Sequence, residues 1–486
     1  MILKKKTSKG AFFFSIINYL GTIVGLYAAL FLYPNDKQSI GTIKFFEGIA
    51  FIIYPILVFG SSQALINFQA KLSGSLKNRI FNLSLLTVLL TSLFFLLLIF
   101  IVSQFIKHQQ YNLLYLAFSI AVCKAFLEIF KKKGLIERKI TFLTIFETIP
   151  TKLSIPILFY LLILNKITFD FLLELYILIF IVATVLSGLY LNKYFKKIFD
   201  INFNELFTEI PKKAYFNYSL YALAGSFGII LITKLDSIII PIFLTTQDNG
   251  NFNIAASLVA AIAVPANGIF TIYTPVISKY FAENNLKTLN IKYKEISIFL
   301  FFIGILMYSC LFVGVENLFL LLSTSQELIK IVPLILILGV GILINMGTGF
   351  NTEIITYSNK FKFNLLAITI LIASNLILNI FFLYFLRLGV NYVAIASLIS
   401  ILLFNLVKLI FIYKKFKLFP FNRNYFGLFI TSISVLIFVY FIPNTINIFF
   451  NLVAKITLCL SLNFLLIYRL NFVKQFNDLI NKFILK

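Results

Sequence analysis

The sequence predicts an all-α polytopic membrane protein of about fourteen transmembrane helices, with both termini cytoplasmic. Three observations carry this. The chain is 60% hydrophobic, only 12% charged, and has a mean hydropathy of +0.98; a soluble domain is about half apolar and about a quarter charged. Apolar runs long enough to cross a ~30 Å hydrocarbon core recur along all 486 residues. The basic residues fall asymmetrically on alternate loops.

The candidate spans, in chain order, are 11–33, 40–66, 80–106, 111–130, 141–164, 169–192, 215–244, 251–276, 297–322, 329–357, 363–386, 389–413, 425–442 and 446–468. The first follows the basic opening MILKKKTSKG. It is too long for a signal peptide and lacks a small-residue cleavage site, so it is expected to be a retained span. In 141–164, Pro150 and Pro156 predict freed backbone groups, which a spanning helix tolerates where protein or a wet cavity satisfies them. In 329–357, Gly339, Gly341, Gly347 and Gly349, with Asn345 and Asn351, predict a close-packed or bent helix. Periodicity does not separate a lipid face from a buried face, because both are apolar.

With the amino terminus taken as cytoplasmic, 31 Lys and Arg residues fall in cytoplasmic segments. The opposite loops carry only five: Lys37, Lys107, Lys166, Lys330 and Arg387. This positive-inside bias places both termini in the cytoplasm. It also accounts for most of the net charge of +24 as orientation charge and anionic-lipid contact, so no nucleic-acid partner is expected. Cys123, Cys310 and Cys459 lie far apart in apolar runs, and His108 is the sole histidine. Neither a disulfide framework nor a metal site is expected. No phosphate-cradling loop is visible, and no cofactor is expected.

One stretch organises the chain. From Ala214 to Phe281, two apolar segments flank a polar turn on Asp248, Asn249 and Gly250. The arrangement echoes the start, where Gly41 stands 14 residues before Pro55, as Gly250 stands 15 before Pro265. With the long charged connection over 193–214, the echo predicts two six-helix lobes, 1–205 and 206–416. Residues 417–486 then hold helices 13 and 14 and a cytoplasmic tail. Lobes built from repeats, with substrate near the midplane, are a common transporter architecture.

The seventh span, YSLYALAGSFGIILITKLDSIIIPIFL followed by GNFNIAASLVAAIAVP, and the opening GTIKFFEGIAFIIYPILVFGSSQALINF carry a resemblance. With fourteen spans in a 6+6+2 order, they resemble the polysaccharide flippases of the multidrug/oligosaccharidyl-lipid/polysaccharide exporter superfamily. This group handles O-antigen, capsule and exopolysaccharide precursors. The resemblance implies a non-enzymatic flippase of the bacterial cytoplasmic (inner) membrane. It would carry an undecaprenyl-diphosphate-linked oligosaccharide to the outer leaflet by alternating access through a cationic central cavity. The implied partners are that substrate, membrane lipids, an H+ or Na+ counter-ion, and polysaccharide polymerase machinery. Relatives often place a basic residue directly after the seventh-span aspartate; here Ser237 follows Asp236, and Lys234 supplies the charge.

Charges within spans are rare and expensive, so six lysines define the candidate site: Lys44, Lys124, Lys152, Lys234, Lys408 and Lys455. Glu47, Glu128, Glu147, Asp236 and Glu353 lie at comparable depth. Lys152, Lys234, Asp236, Lys44, Asn18 and Gln63 are the substrate-binding candidates, joined by Tyr19 and Asn67 for sugar hydroxyls. Glu353, Glu47 and Asp236 are the candidates for gating or ion coupling. Lys44 with Glu47, and Lys124 with Glu128, have the spacing of intrahelical pairs. Lys408 is expected to snorkel to the cytoplasmic interface. Lys455 either meets lipid headgroups or is paired. Three other readings stand beside the flippase: a multidrug/cation antiporter of the same superfamily, which would favour an acidic cavity; a lipid II flippase; and a glycan polymerase or ligase, which would bring a large outer loop.

Overall fold

The computed structural model describes residues 19–69, 72–105, 111–137, 140–194, 202–322, 324–358, 360 and 362–484. All regular structure among them is helical. Eleven helices are long and apolar enough to cross a membrane, or twelve if one bent pair is counted as a single span. Two expected spans stand outside that set. Span 11–33 begins outside the described residues. Span 111–130 falls in the 26-residue helix Tyr111–Ile136, which carries Lys124 and Glu128 in its apolar run. The chain divides into two compact units, one through Gly250 and one from Asn251.

The first unit includes α1, Lys37–Val58. Asp36 caps it, its side chain accepting from Ser39 N at 3.0 Å. The expected span 40–66 is not continuous. Phe59 and Gly60 take positive φ values of 51° and 68° and end α1, and the chain resumes as α2, Ser61–Gln69. The cause is a close backbone approach: a Cβ on Gly60 would stand 1.9 Å from the Ser219 carbonyl oxygen. Then come α3 (Leu76–Phe105), α4 (Tyr111–Ile136), α5 (Ile140–Thr148), α6 (Ser154–Ile163) and α7 (Phe169–Tyr194). A π-helical turn, Ile149–Leu153, joins α5 to α6 at the expected proline site. Thr151 Oγ1 donates to the Glu147 carbonyl at 2.7 Å and Ser154 Oγ to that of Pro150 at 2.6 Å, so hydroxyls serve the disrupted ladder.

A short helix, α8 (Asn204–Glu209), leads into α9, Lys212–Phe243. Helix α9 packs on α1 and α2. Gly48 of α1 meets Ile238 there. Next comes α10, Thr246–Ala282, whose first turn belongs to this unit. The two echoing glycines meet in it. A Cβ on Gly41 would lie 1.8 Å from the Thr246 carbonyl oxygen and 2.7 Å from Gly250 N, and one on Gly250 would lie 2.1 Å from the Lys37 carbonyl oxygen. Buried Asn249 donates Nδ2 to the Gly41 carbonyl at 2.7 Å.

The second unit is built round α11, Leu286–Leu320, 35 residues long. The short α12 (Ser325–Ile329) leads to α13 (Val332–Gly347) and α14 (Asn351–Tyr357), which meet at a 45° bend. The glycine-rich run is thus a broken helix. α15 (Phe363–Ile380) runs on through a π-helical turn at Phe381–Phe385, and α16 (Val390–Phe416) packs on α13 and α15. α17 (Arg423–Tyr440) and α18 (Ile448–Leu470) pack on α11 through Val313, Val435, Val439 and Cys459. α19, Lys474–Ile484, seats Phe476 against Phe302 and Phe464.

Candidate functional site

Helix α1 sets the site. Lys44, Glu47, Phe51 and Tyr54 recur at i, i+3, i+7 and i+10, the spacing of one helical face. Glu47 is only 4% exposed and has two ammonium neighbours. Lys44 Nζ donates to Oε2 at 2.6 Å, and Lys234 Nζ, from α9, lies 3.7 Å from Oε1. A carboxylate held this deep is costly unless paired and hydrogen-bonded, and these cations meet that need. Lys234 Nζ also stands 4.6 Å from the Phe51 ring centroid, and Lys124 Nζ, from α4, stands 4.5 Å from the same centroid and 5.0 Å from that of Tyr54. Ammonium groups at such distances are attracted by the ring face.

The cluster continues through α4 and α5. Glu147 accepts from Lys131 at 2.5 Å and lies 3.8 Å from Lys124 Nζ. Lys152 leaves the π-helical turn with its aliphatic stem against Gly21, where a Cβ would lie 2.8 Å from Cδ, and its charge interacts with Glu147 and Lys131. Among the described residues, four lysines (Lys44, Lys124, Lys131 and Lys234) therefore lie within 4 Å of two carboxylates, Glu47 and Glu147, with Lys152 beside Glu147. The lysines on Glu47 stay partly accessible, 18% for Lys44 and 20% for Lys234. Partly accessible, surplus ammonium groups beside aromatic rings suit a phosphate-bearing ligand, because charge-assisted hydrogen bonds to phosphate are strong.

Four candidates thus come together in one cluster of the first unit: Lys44, Glu47, Lys152 and Lys234. Asp236 and Gln63 lie in the same unit. Asp236 is half-buried two residues after Lys234, ~200° round the helix from it. Gln63 lies on α2, where Ser62 Oγ donates to its side-chain oxygen at 2.6 Å. Asn18 lies outside the described residues. Glu353 is on α14 in the second unit. The intrahelical pairing of Lys124 with Glu128 is corrected: Glu128 pairs with Lys132 at 3.3 Å, one turn on, leaving Lys124 to Glu147 and the rings. The snorkelling of Lys408 is corrected too. It is 1% exposed and donates to Thr352 Oγ1 at 2.6 Å. Lys455 is buried on α18 beside the stripe Asn451, Cys459, Asn463. Phe51 and Tyr54 were missed; the i, i+3, i+7, i+10 face running from Lys44 was the signal for them.

Neither a protein-family model nor a curated protein sequence matches the chain. Solved structures do share its fold. The chain is similar to the lipid II flippase MurJ in an inward closed conformation, with TM-score 0.69 and 16% identity over 97% of this chain and 99% of that one. It is similar to a multidrug resistance MATE family transporter of the MOP superfamily in an inward-facing conformation, with TM-score 0.61 and 14% identity over 82% and 94%. A MOP superfamily transporter from Pyrococcus furiosus, whose description notes reverse polarity of the binding pocket, gives TM-score 0.53 and 14% identity over 85% and 95%. The chain is a multi-pass helical protein with the fold of these transporters.

Proposed function

We propose that the protein is a flippase that moves an undecaprenyl-diphosphate-linked oligosaccharide from the cytoplasmic to the outer leaflet of a bacterial inner membrane. The single observation that carries this reading is the surplus of lysines round Glu47 within spanning helices. A diphosphate does not cross hydrocarbon unpaired. Lys44, Lys152 and Lys234 would bind it while the lipid tail stays in the bilayer, and Lys124 would support them through Phe51. The lobes over 1–205 and 206–416 would rock to alternate access, with helices 13 and 14 attached over 417–486. The full count is fourteen spans, both termini are cytoplasmic, and no covalent bond changes.

With a cytoplasm-negative potential, outward movement of anionic charge is favoured by ~2.3 kcal/mol per charge per 100 mV. Glu47, Asp236 and Glu353 are the sites where H+ or Na+ coupling would act, and the polysaccharide polymerase machinery would receive the product. The fold likeness to MurJ supports lipid II as the second reading, because the same lysines suit its diphosphate. An exporter of organic cations fits less well, since this cluster is basic. The test is transport of a lipid-linked oligosaccharide and of lipid II into vesicles holding the purified chain. Transport of the oligosaccharide that is lost in Lys234→Ala and Lys152→Ala, at equal protein level, supports the reading. Movement of lipid II alone transfers the assignment to that substrate, and equal transport by the alanine variants removes the cluster from it.

A further inference from the structure

The break in the second unit carries polar chemistry that the lysine cluster does not use. α13 ends at Gly347, and α14 resumes at Asn351 at a 45° angle. Between them Gly349 takes φ +65°, and a Cβ there would stand 2.1 Å from Ser297 Oγ, so the turn is pressed onto α11. One helix, α16, stitches the break. Asn405 Oδ1 accepts from Thr348 Oγ1 at 2.8 Å and from Asn351 Nδ2 at 2.7 Å. One turn further on, Lys408 Nζ donates to Thr352 Oγ1 at 2.6 Å and lies 3.7 Å from the Phe404 ring centroid.

The contacts described for this buried ammonium are neutral groups. Yet Glu353, half-buried and next to Thr352, is the acid whose charge acts on Lys408, and among the described residues no ion pair joins the two. Tyr293, itself buried, has a hydroxyl without a hydrogen bond and also interacts with Glu353 electrostatically. Opposite charges that stay apart at membrane depth are expensive. Thr352 and Glu353 are ~100° apart round α14. Rotation of this seven-residue half-helix therefore exchanges one for the other beneath Lys408. Rotations and shifts of short elements between two arrangements are established switching motions.

We propose that Lys408 is a two-position latch. It holds α14 through the Thr352 hydroxyl in the state described and through the Glu353 carboxylate in a second state, and transport alternates between the two. Lys408 is thus a positioning residue for transport. The inference rests on the transport reading, but its first test needs no substrate. In the full chain in lipid nanodiscs, hydrogen exchange of residues 348–358 would be compared between variants. Thr352→Val removes the first partner and is expected to speed exchange several-fold. Glu353→Gln removes the second and is expected to slow it several-fold. Lys408→Gln, where it folds, is expected to abolish both responses.

A static stitch predicts that both neighbouring substitutions speed exchange or leave it unchanged, and either result overturns the latch. In vesicles, Glu353→Gln is expected to slow substrate movement at least tenfold with the Kd of the lipid-linked substrate unchanged; an unchanged rate overturns the transport half of the inference. Failure of the wild-type chain to move any lipid-linked glycan sinks the flippase reading alone, because the opposite exchange responses would still report the latch.

Discussion

The two units share a plan and differ in their buried chemistry. Each is a packing of apolar helices, with α1 against α3, α4 and α9 in the first and α11 against α13, α17 and α18 in the second. Round α1 the buried polar cluster is charged: lysines and two glutamates, with the rings of Phe51 and Tyr54 beside the ammonium groups. Beside the bent pair of the second unit they are mostly amides and hydroxyls, with Lys408 the cation bound among them. Charged donors make hydrogen bonds about twice as strong as neutral ones, whereas neutral networks fix geometry at less electrostatic risk. On the two proposals above, the difference is a division of labour: the first unit would hold an anion and the second would change shape.

Breaking the first half should have the largest effect. Lys44→Ala with Lys234→Ala is expected to weaken binding of the lipid-linked substrate at least a hundredfold, since each charged hydrogen bond is worth about 1.5–3 kcal/mol; titration calorimetry in detergent reads it directly. Loss of comparable size on removing Asn405 instead would erase the contrast between the units. Gly41→Val comes next. The Cβ would enter the space of the Thr246 carbonyl, so a loss of about 3 kcal/mol is expected as a lowered thermal unfolding midpoint. Asn405→Leu removes the acceptor that Thr348 and Asn351 share, leaving them the longer bonds to the Asn345 carbonyl and the Thr348 hydroxyl, each 3.1 Å. It should cost about 1–3 kcal/mol of stability, with substrate Kd unchanged in the same calorimetric assay. The smallest effect belongs to Lys279→Ala. Its pair with Glu283 is largely exposed, so the midpoint should move by the equivalent of about 0.5 kcal/mol or less.

Much of this was legible in the chain. The apolar runs announced the helices, Pro150 and Pro156 the disrupted ladder, and the four glycines from Gly339 to Gly349 the bend. Local rules suffice there, because proline and glycine act on their own backbone. The partners of Lys124 and Lys408 were not legible. Spacing offered Glu128 and the interface, whereas packing delivered Glu147 and Thr352. A charged side chain chooses among neighbours that sequence distance does not order. The end of α1 at Phe59 also escaped notice, because its cause is a carbonyl at Ser219, some 160 residues away.

The meeting of Gly41 with Gly250 has a consequence for heredity. The residue that marks one copy of an echoed stretch presses on the residue that marks the other. A change that enlarges either copy is therefore felt by its counterpart, much as a mutation on a two-fold axis is felt twice. Neither stretch can drift alone at this point. The contact acts as a mutual veto, and it would keep two glycines in step long after the residues around them had diverged.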